Sequence, residues 1–181
     1  MKKKRLNIGQ IGETAVALEL QKLGLDAINL NGVRSNYQSA DLICMNLDTG
    51  KSVMIQVKTG TTHNIITGLV SELDGSIPNI QKKVIGPWVF VEMDEKTFSM
   101  DFYVLTKEET IKLISSSNDW YVNGWNRKLS SKPLIGIEVS WLQGKHVEAS
   151  SEKSKKQHIA FKNPLGHDSK NRWDKIIQLL E

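Results

Sequence analysis

The stretch ADLICMNLDTGKSVMIQVK, residues 40–58, decides how this chain is read. Two runs rich in apolar and β-branched residues, 40–46 and 52–58, flank a segment whose Asp48, Thr49 and Gly50 are turn chemistry. The stretch therefore reads as an antiparallel hairpin. Its second strand ends in Gln56 and Lys58, two residues apart and so on one face. An amide and an ammonium rarely sit together on a buried strand without a use for them. With Asp48–Lys51 as a four-residue loop, Leu47 faces Ser52, Ile43 faces Gln56 and Asp41 faces Lys58. Asp41, Gln56 and Lys58 then share one face as a polar cluster, and Cys44 points to the other.

A carboxylate and an amide oxygen a few ångströms apart are hard oxygen donors, suited to Mg²⁺ (or Mn²⁺), with water and substrate phosphate supplying further ligands. A lysine beside them can orient or deprotonate an attacking water, or offset charge that grows on a phosphate. Together these groups can cleave a phosphodiester.

Working outward, IGQIGETAVALELQKLG (8–24) reads as a helix with Ile11, Ala15 and Leu18 as its apolar stripe and Gly24 as its stop. DAINL (26–30) follows as a short strand. PWVFVEM (87–93) and DFYVLT (101–106) read as two further strands around a charged turn. Thr106 with Glu109 three residues on is a capping box and predicts a helix start. KPLIGIEVSWL (132–142) is a late strand and RWDKIIQLL (172–180) a terminal amphipathic helix. Between those two lies a polar, lysine-rich segment, read as a mobile loop or extended arm. The order of elements specifies an α/β (α+β) class with a central mixed sheet flanked by helices.

The residues Gly12–Glu13 opening a helix, ADLI with Asp41, and QVK with Gln56 and Lys58 resemble the PD-(D/E)XK nuclease superfamily. The resemblance covers roughly residues 8–60 by motif, and DFYVLT with its following helix by general pattern. It implies a restriction endonuclease-like core over residues 1–142, with a basic loop or arm plus C-terminal helix over 143–181 packed on the same domain. Ala40 replaces the family's usual proline. Gln56 stands where Asp or Glu is usual, a Gln-x-Lys variant that removes one negative charge from the site. The implied activity is divalent-metal-dependent hydrolysis of DNA. Glu13, Asp41, Gln56 and Lys58 would be catalytic, and Asp41, Gln56 through its amide oxygen, the Val57 carbonyl and Glu13 would hold Mg²⁺ or Mn²⁺. The alternative is a nuclease-fold protein without cleavage that binds nucleic acid or serves as an assembly subunit; the amide at position 56 keeps it open.

Taken singly, Glu13 is an ordinary first-turn helix acid, Asp41 a strand-edge acid and Lys58 a strand end at solvent. Their order, with a hairpin between, carries the reading. Thr59 and Thr62 after the hairpin, and Lys153, Lys155 and Lys156 in the basic segment, are candidate phosphate contacts. His63 has no partner spacing that would make it a base or zinc ligand. The five tryptophans read as core.

The bulk properties are compatible. The chain has 181 residues, 39% hydrophobic and 24% charged, enough for one domain with a full core. A net charge of +4 suits a polyanionic partner without requiring one. The single cysteine, Cys44, can form no internal disulfide, and the chain opens without an apolar signal segment. Both favour a reducing, cytoplasmic setting and no membrane association. No recognition module is evident, so any specificity comes from loops, a homodimer mate or a separate recognition subunit.

Overall fold

The computed structural model describes residues 7–32, 40–124, 129, 131–149 and 158–181. Helix α1 (Ile8–Lys22) is followed by β1 (Asp26–Asn29), a single 3-10 turn (Leu30–Gly32), and the hairpin β2 (Leu42–Asn46) and β3 (Lys51–Gly60). Next come β4 (Asn64–Val70), a short α2 (Ile80–Lys83), β5 (Trp88–Met93), β6 (Met100–Leu105) and α3 (Lys107–Asn123). The chain closes with β7 (Leu134–Glu138), α4 (Val139–Leu142) and α5 (Asp174–Leu180). The main sheet has five strands in the order β1-β2-β3-β5-β6. It is mixed: β3 and β5 are parallel, and the other neighbours are antiparallel. The expected mixed architecture, a central sheet flanked by helices, is present.

The hairpin forms, but its register differs from the expected one by two residues. Asn46 pairs with Lys51, Ile43 with Met54 and Leu42 with Ile55, so the loop is Leu47–Gly50. The cause is local. Asn46 accepts hydrogen bonds from the backbone of Asp48 and Thr49 through its side chain, and from Gly50 through its carbonyl. Gly50 takes a φ of +70°, which only glycine adopts without strain. A shift of two leaves every side chain on its original face, so the predicted cluster survives with Gln56, rather than Lys58, nearest Asp41.

One face of the sheet is covered by α1 and α5. Val16, Leu20, Ile176 and Leu180 close over Leu42, Cys44, Ile55, Val57, Val89, Val91 and Val104. The buried stripe of α1 is Gly12, Val16 and Leu20, not the expected Ile11, Ala15 and Leu18; Leu18 is 51% exposed. Gly12 explains the difference. A Cβ there would sit 1.9 Å from Thr59 Oγ1 on β3, so α1 approaches the strand by its glycine face.

Among the described residues, the opposite face is covered only in part. Beneath β5 and β6, Phe90, Tyr103 and Leu105 pack with Leu113 and Ile114 of α3 and with Ile65 and Ile137 of a second, two-stranded sheet of β4 and β7. Beneath the other half, Ile28, Ile43 and Met54 form a cross-strand row, with Ile28 46% and Met54 37% exposed. Asp41, Gln56 and Lys58 lie on this face, where the covering layer stops.

The segment after β7 is not an arm in its described parts. Phe161 is buried and stacks on Trp141 with ring centroids 4.3 Å apart, while Val147 and Phe161 form a β-bridge. Burial of one such aromatic contributes about 2 kcal/mol. Lys175 of α5 is buried as well, donating to Glu109 Oε2 at 2.7 Å and to the Val104 carbonyl at 3.1 Å. Glu109 also completes the capping box with Thr106, so one carboxylate starts α3 and anchors α5. Among the described tryptophans, Trp88 and Trp141 are buried; Trp125 lies outside the described residues.

Candidate functional site

Asp41 precedes β2 and is fixed by backbone bonds on both sides: its N–H donates to the Ile55 carbonyl at 2.9 Å and its carbonyl accepts from Leu30 at 2.8 Å. Asp41 as a whole is 8% exposed. Oδ2 accepts from the Val57 backbone N–H at 2.8 Å and from the Gln56 side-chain amide. Gln56, itself buried, thus meets Asp41 with its nitrogen, where the expectation placed its oxygen at the site. A carboxylate facing an amide selects the N–H end. The opposite end of the same amide is the one a cation would select.

Glu13 reaches this face from α1. Its Oε2 accepts from Asn29 Nδ2 at 2.9 Å and from Asn31 Nδ2 at 3.2 Å. Asn31 Nδ2 also donates to Asp41 Oδ1 at 3.3 Å. One side-chain amide therefore bridges the two carboxylates. The turn that carries it is set by the sequence NLNG: the Asn31 N–H donates to Asn29 Oδ1 at 2.8 Å, an Asx turn. Asn29 and Asn31 were not among the residues expected at the site. The available signal was the Asn-x-Asn spacing itself, which reads as turn chemistry before it reads as anything else.

Lys58 lies two residues beyond Gln56 and pairs with Phe90 across the parallel strand. Its Nζ makes no hydrogen bond or ion pair among the described residues and sits 5.4 Å from the centroid of the Trp88 ring, within cation–π range. Burial lowers its pKa from the usual lysine range, and the negative charges of Asp41 and Glu13 partly oppose that. The lysine is thus desolvated by an aromatic wall while feeling both acids, although they lie on other elements. Trp88, the wall, has its own indole N–H buried without a partner among the described residues.

The other expected contacts fall elsewhere. Thr59 turns to the α1 face, where its hydroxyl is buried against Gly12 without a hydrogen-bond partner among the described residues, and so points away from the site face. Thr62 is exposed in the β3–β4 turn and donates to the Asn64 carbonyl at 3.0 Å. His63 is exposed beside Glu92, 3.0 Å away. Lys153, Lys155 and Lys156 lie outside the described residues. A cavity of about 420 Å³ between α3 and β7, walled by Asn118, Trp120, Trp141 and Glu138, includes none of the site residues. That cavity is separate from the site, whose Asp41 and Gln56 are themselves buried. Among the described residues, no three His, Cys, Asp or Glu side chains converge, so the site's own anionic donors are Glu13 and Asp41.

The fold and site thus define a mixed-sheet domain whose hairpin brings an acid, an amide and a lysine to one face beside a helix-borne acid. No family model matches the chain, and no curated protein matches it. Among solved structures it is similar to a bacterial homing endonuclease, I-Ssp6803I, at 16% identity and a TM-score of 0.45, over 94% of this chain and 91% of that one. Among the described residues, no helix is long and apolar enough to cross a membrane.

Proposed function

We propose that the protein is a Mg²⁺- or Mn²⁺-dependent endonuclease that hydrolyses phosphodiester bonds in DNA, with Glu13, Asp41, Gln56 and Lys58 as its catalytic residues. The observation that carries this reading is the shared face of Asp41, Gln56 and Lys58 with Glu13 tied to Asp41 through Asn31. The residues come from α1, the 3-10 turn, the entry to β2, and β3.

The donor set fits a hard divalent cation. Asp41 and Glu13 offer carboxylate oxygens and Val57 its carbonyl, while Gln56 would offer its amide oxygen only with the amide turned over, since its nitrogen faces Asp41. With two anionic donors the free protein binds such an ion weakly and needs phosphate oxygens to complete the shell. When bound, the ion supplies Lewis-acid stabilisation of charge on the phosphate. Asp41 and Glu13 orient the phosphate's neighbourhood, and Val57 N–H keeps the Asp41 carboxylate from turning. Lys58, partly desolvated by Trp88, handles the proton of the attacking water or the charge growing on the phosphate oxygens. DNA lies along the uncovered half of the sheet, in a nucleic-acid-associated, cytoplasmic protein. A homodimer mate or recognition subunit would supply specificity.

The test is incubation with circular, linear and branched DNA in Mg²⁺, in Mn²⁺ and in EDTA. Cleavage with metal and none with EDTA is expected. No cleavage of any form with either metal removes the enzymatic reading and leaves the nucleic-acid-binding one, which the amide at position 56 favours.

A further inference from the structure

The bridging amide of Asn31 bears on how that site takes up its ion, and the inference rests on the reading of Glu13 and Asp41 as cation ligands. In the structure three side-chain amides surround the two carboxylates, and all three present nitrogen. Gln56 Nε2 faces Asp41 Oδ2, Asn29 Nδ2 faces Glu13 Oε2, and Asn31 Nδ2 faces both Glu13 Oε2 and Asp41 Oδ1. Asn31 differs from the others by touching both acids, at 3.2 and 3.3 Å.

We infer that Asn31 is a plug: its amide holds the place of the cation between Glu13 and Asp41, and the ion enters only when that amide turns away. An ion bridging these two oxygens from the side where Asn31 lies would occupy the space of its two N–H groups, although each carboxylate keeps further lone pairs elsewhere. Mg²⁺ sits about 2.1 Å from its oxygen ligands, and N–H hydrogens at hydrogen-bond distance stand about 2 Å from theirs. Both cannot be accommodated. In the absence of an ion the amide offsets the mutual repulsion of two carboxylates, which favours the folded, ion-free state. The same contact works against ion binding. Its backbone N–H, bonded to Asn29 Oδ1, does not take part, so the side chain can rotate while the turn stays in place.

A plug and a merely structural bridge predict opposite signs. If Asn31 only props the site in shape, its removal loosens the ligands and weakens ion binding. If it is a plug, its removal destabilises the ion-free fold and tightens ion binding. Mn²⁺ titration of the free protein by calorimetry, with urea unfolding of the same samples, separates the two. Asn31→Ala and Asn31→Ser are both too short to span the carboxylates. They are expected to bind Mn²⁺ at least about tenfold more tightly than wild type, the lower end of one charge-assisted hydrogen bond relieved. Both are also expected to unfold at lower urea without the ion. Unchanged or weaker Mn²⁺ binding overturns the plug, while DNA cleavage by wild type would leave the nuclease reading standing. A measurement on wild type needs no variant. In an NMR titration with Mg²⁺, the Asn31 side-chain amide signal should move toward that of an unbonded amide. If it stays fixed while the Asp41 and Val57 backbone signals shift, the inference fails.

Discussion

Gly12→Ala is a change of one methyl group on the far side of the sheet from the site, and it tests how α1 holds Glu13 in place. The added Cβ would meet Thr59 Oγ1 at 1.9 Å, Thr59 Cβ at 3.0 Å and Thr59 Cγ2 at 3.1 Å. Rotating Thr59 puts either its methyl group or a hydrogen where the hydroxyl was, and in both cases the Cβ contact at 3.0 Å remains. With the hydroxyl or the methyl group at that position, bringing the shortest contact out to 3.0 Å moves α1 back from β3 by about 1 Å, in a core that does not compress. Overpacking of this kind costs about 1–3 kcal/mol. At about 2 kcal/mol, a domain of this size loses roughly 4–8 °C in Tm. The displacement also carries Glu13, the next residue, away from Asn31 and Asp41, and a misplacement of about 1 Å in a catalytic group can cost about a hundredfold in rate. Thr59→Ala removes both Oγ1 and Cγ2 and relieves a buried hydroxyl that has no partner among the described residues, so alone it should be neutral or mildly stabilising. The double variant should then recover at least about 1 kcal/mol of the Gly12→Ala loss. Urea unfolding of the four proteins gives the coupling energy, and DNA cleavage of the same four gives the effect on the site. If Gly12→Ala unfolds within about 0.5 kcal/mol of wild type, or if Thr59→Ala restores nothing, then close approach at Gly12 does not position α1.

Further expectations concern the site and its surroundings. Lys58→Ala and Asp41→Asn should abolish most cleavage while DNA affinity persists; if Lys58→Ala instead costs only affinity and lowers the salt slope by about one, Lys58 is a phosphate contact. Gln56→Glu adds an anionic ligand and should tighten Mg²⁺ binding in a calorimetric titration; unchanged affinity would place Gln56 outside the ion's ligands. Burial pushes the Cys44 thiol up to about 11 from 9.0, so it should resist alkylation at pH 8 until the chain is unfolded. The sign follows for stability: the unfolded thiol ionises first, so the stabilisation is present below pH 9 and is lost as pH rises toward 11, which urea midpoints across that range would record. Thr106→Ala removes the capping box of α3 and should lower stability by about 1 kcal/mol by urea unfolding, without changing Mg²⁺ affinity.

What was legible in the sequence was what is local or periodic. The start of α3 followed from Thr106 and Glu109, three residues apart, because a cap is completed within one helical turn. The hairpin followed from turn residues between two apolar runs, and the common face of Asp41, Gln56 and Lys58 followed from strand alternation. That last inference survived a register two residues off because faces depend on parity, not on which residues are partners. The terminal helix followed from its own amphipathic pattern.

Tertiary structure alone decided the rest. Strand β4 carries an alternating burial pattern over Asn64–Val70, yet it exists as a strand because β7, some seventy residues later, pairs with it. The face that α1 buries was set by Gly12 against Thr59, where the lack of a side chain outweighed the larger apolar residues Ile11 and Leu18. Phe161 joined the core from a lysine-rich segment because Trp141 offered it a stacking surface. The site shows the same division. Its hairpin residues are two apart on one strand, or directly across from it, and local geometry places them. Glu13, Asn29, Asn31 and Trp88 come from other elements, and what they do depends on contacts between residues distant in the chain. Alternation and capping are properties of a few neighbouring residues and so are written in the sequence, whereas which surfaces meet is chosen by the packing of the whole chain.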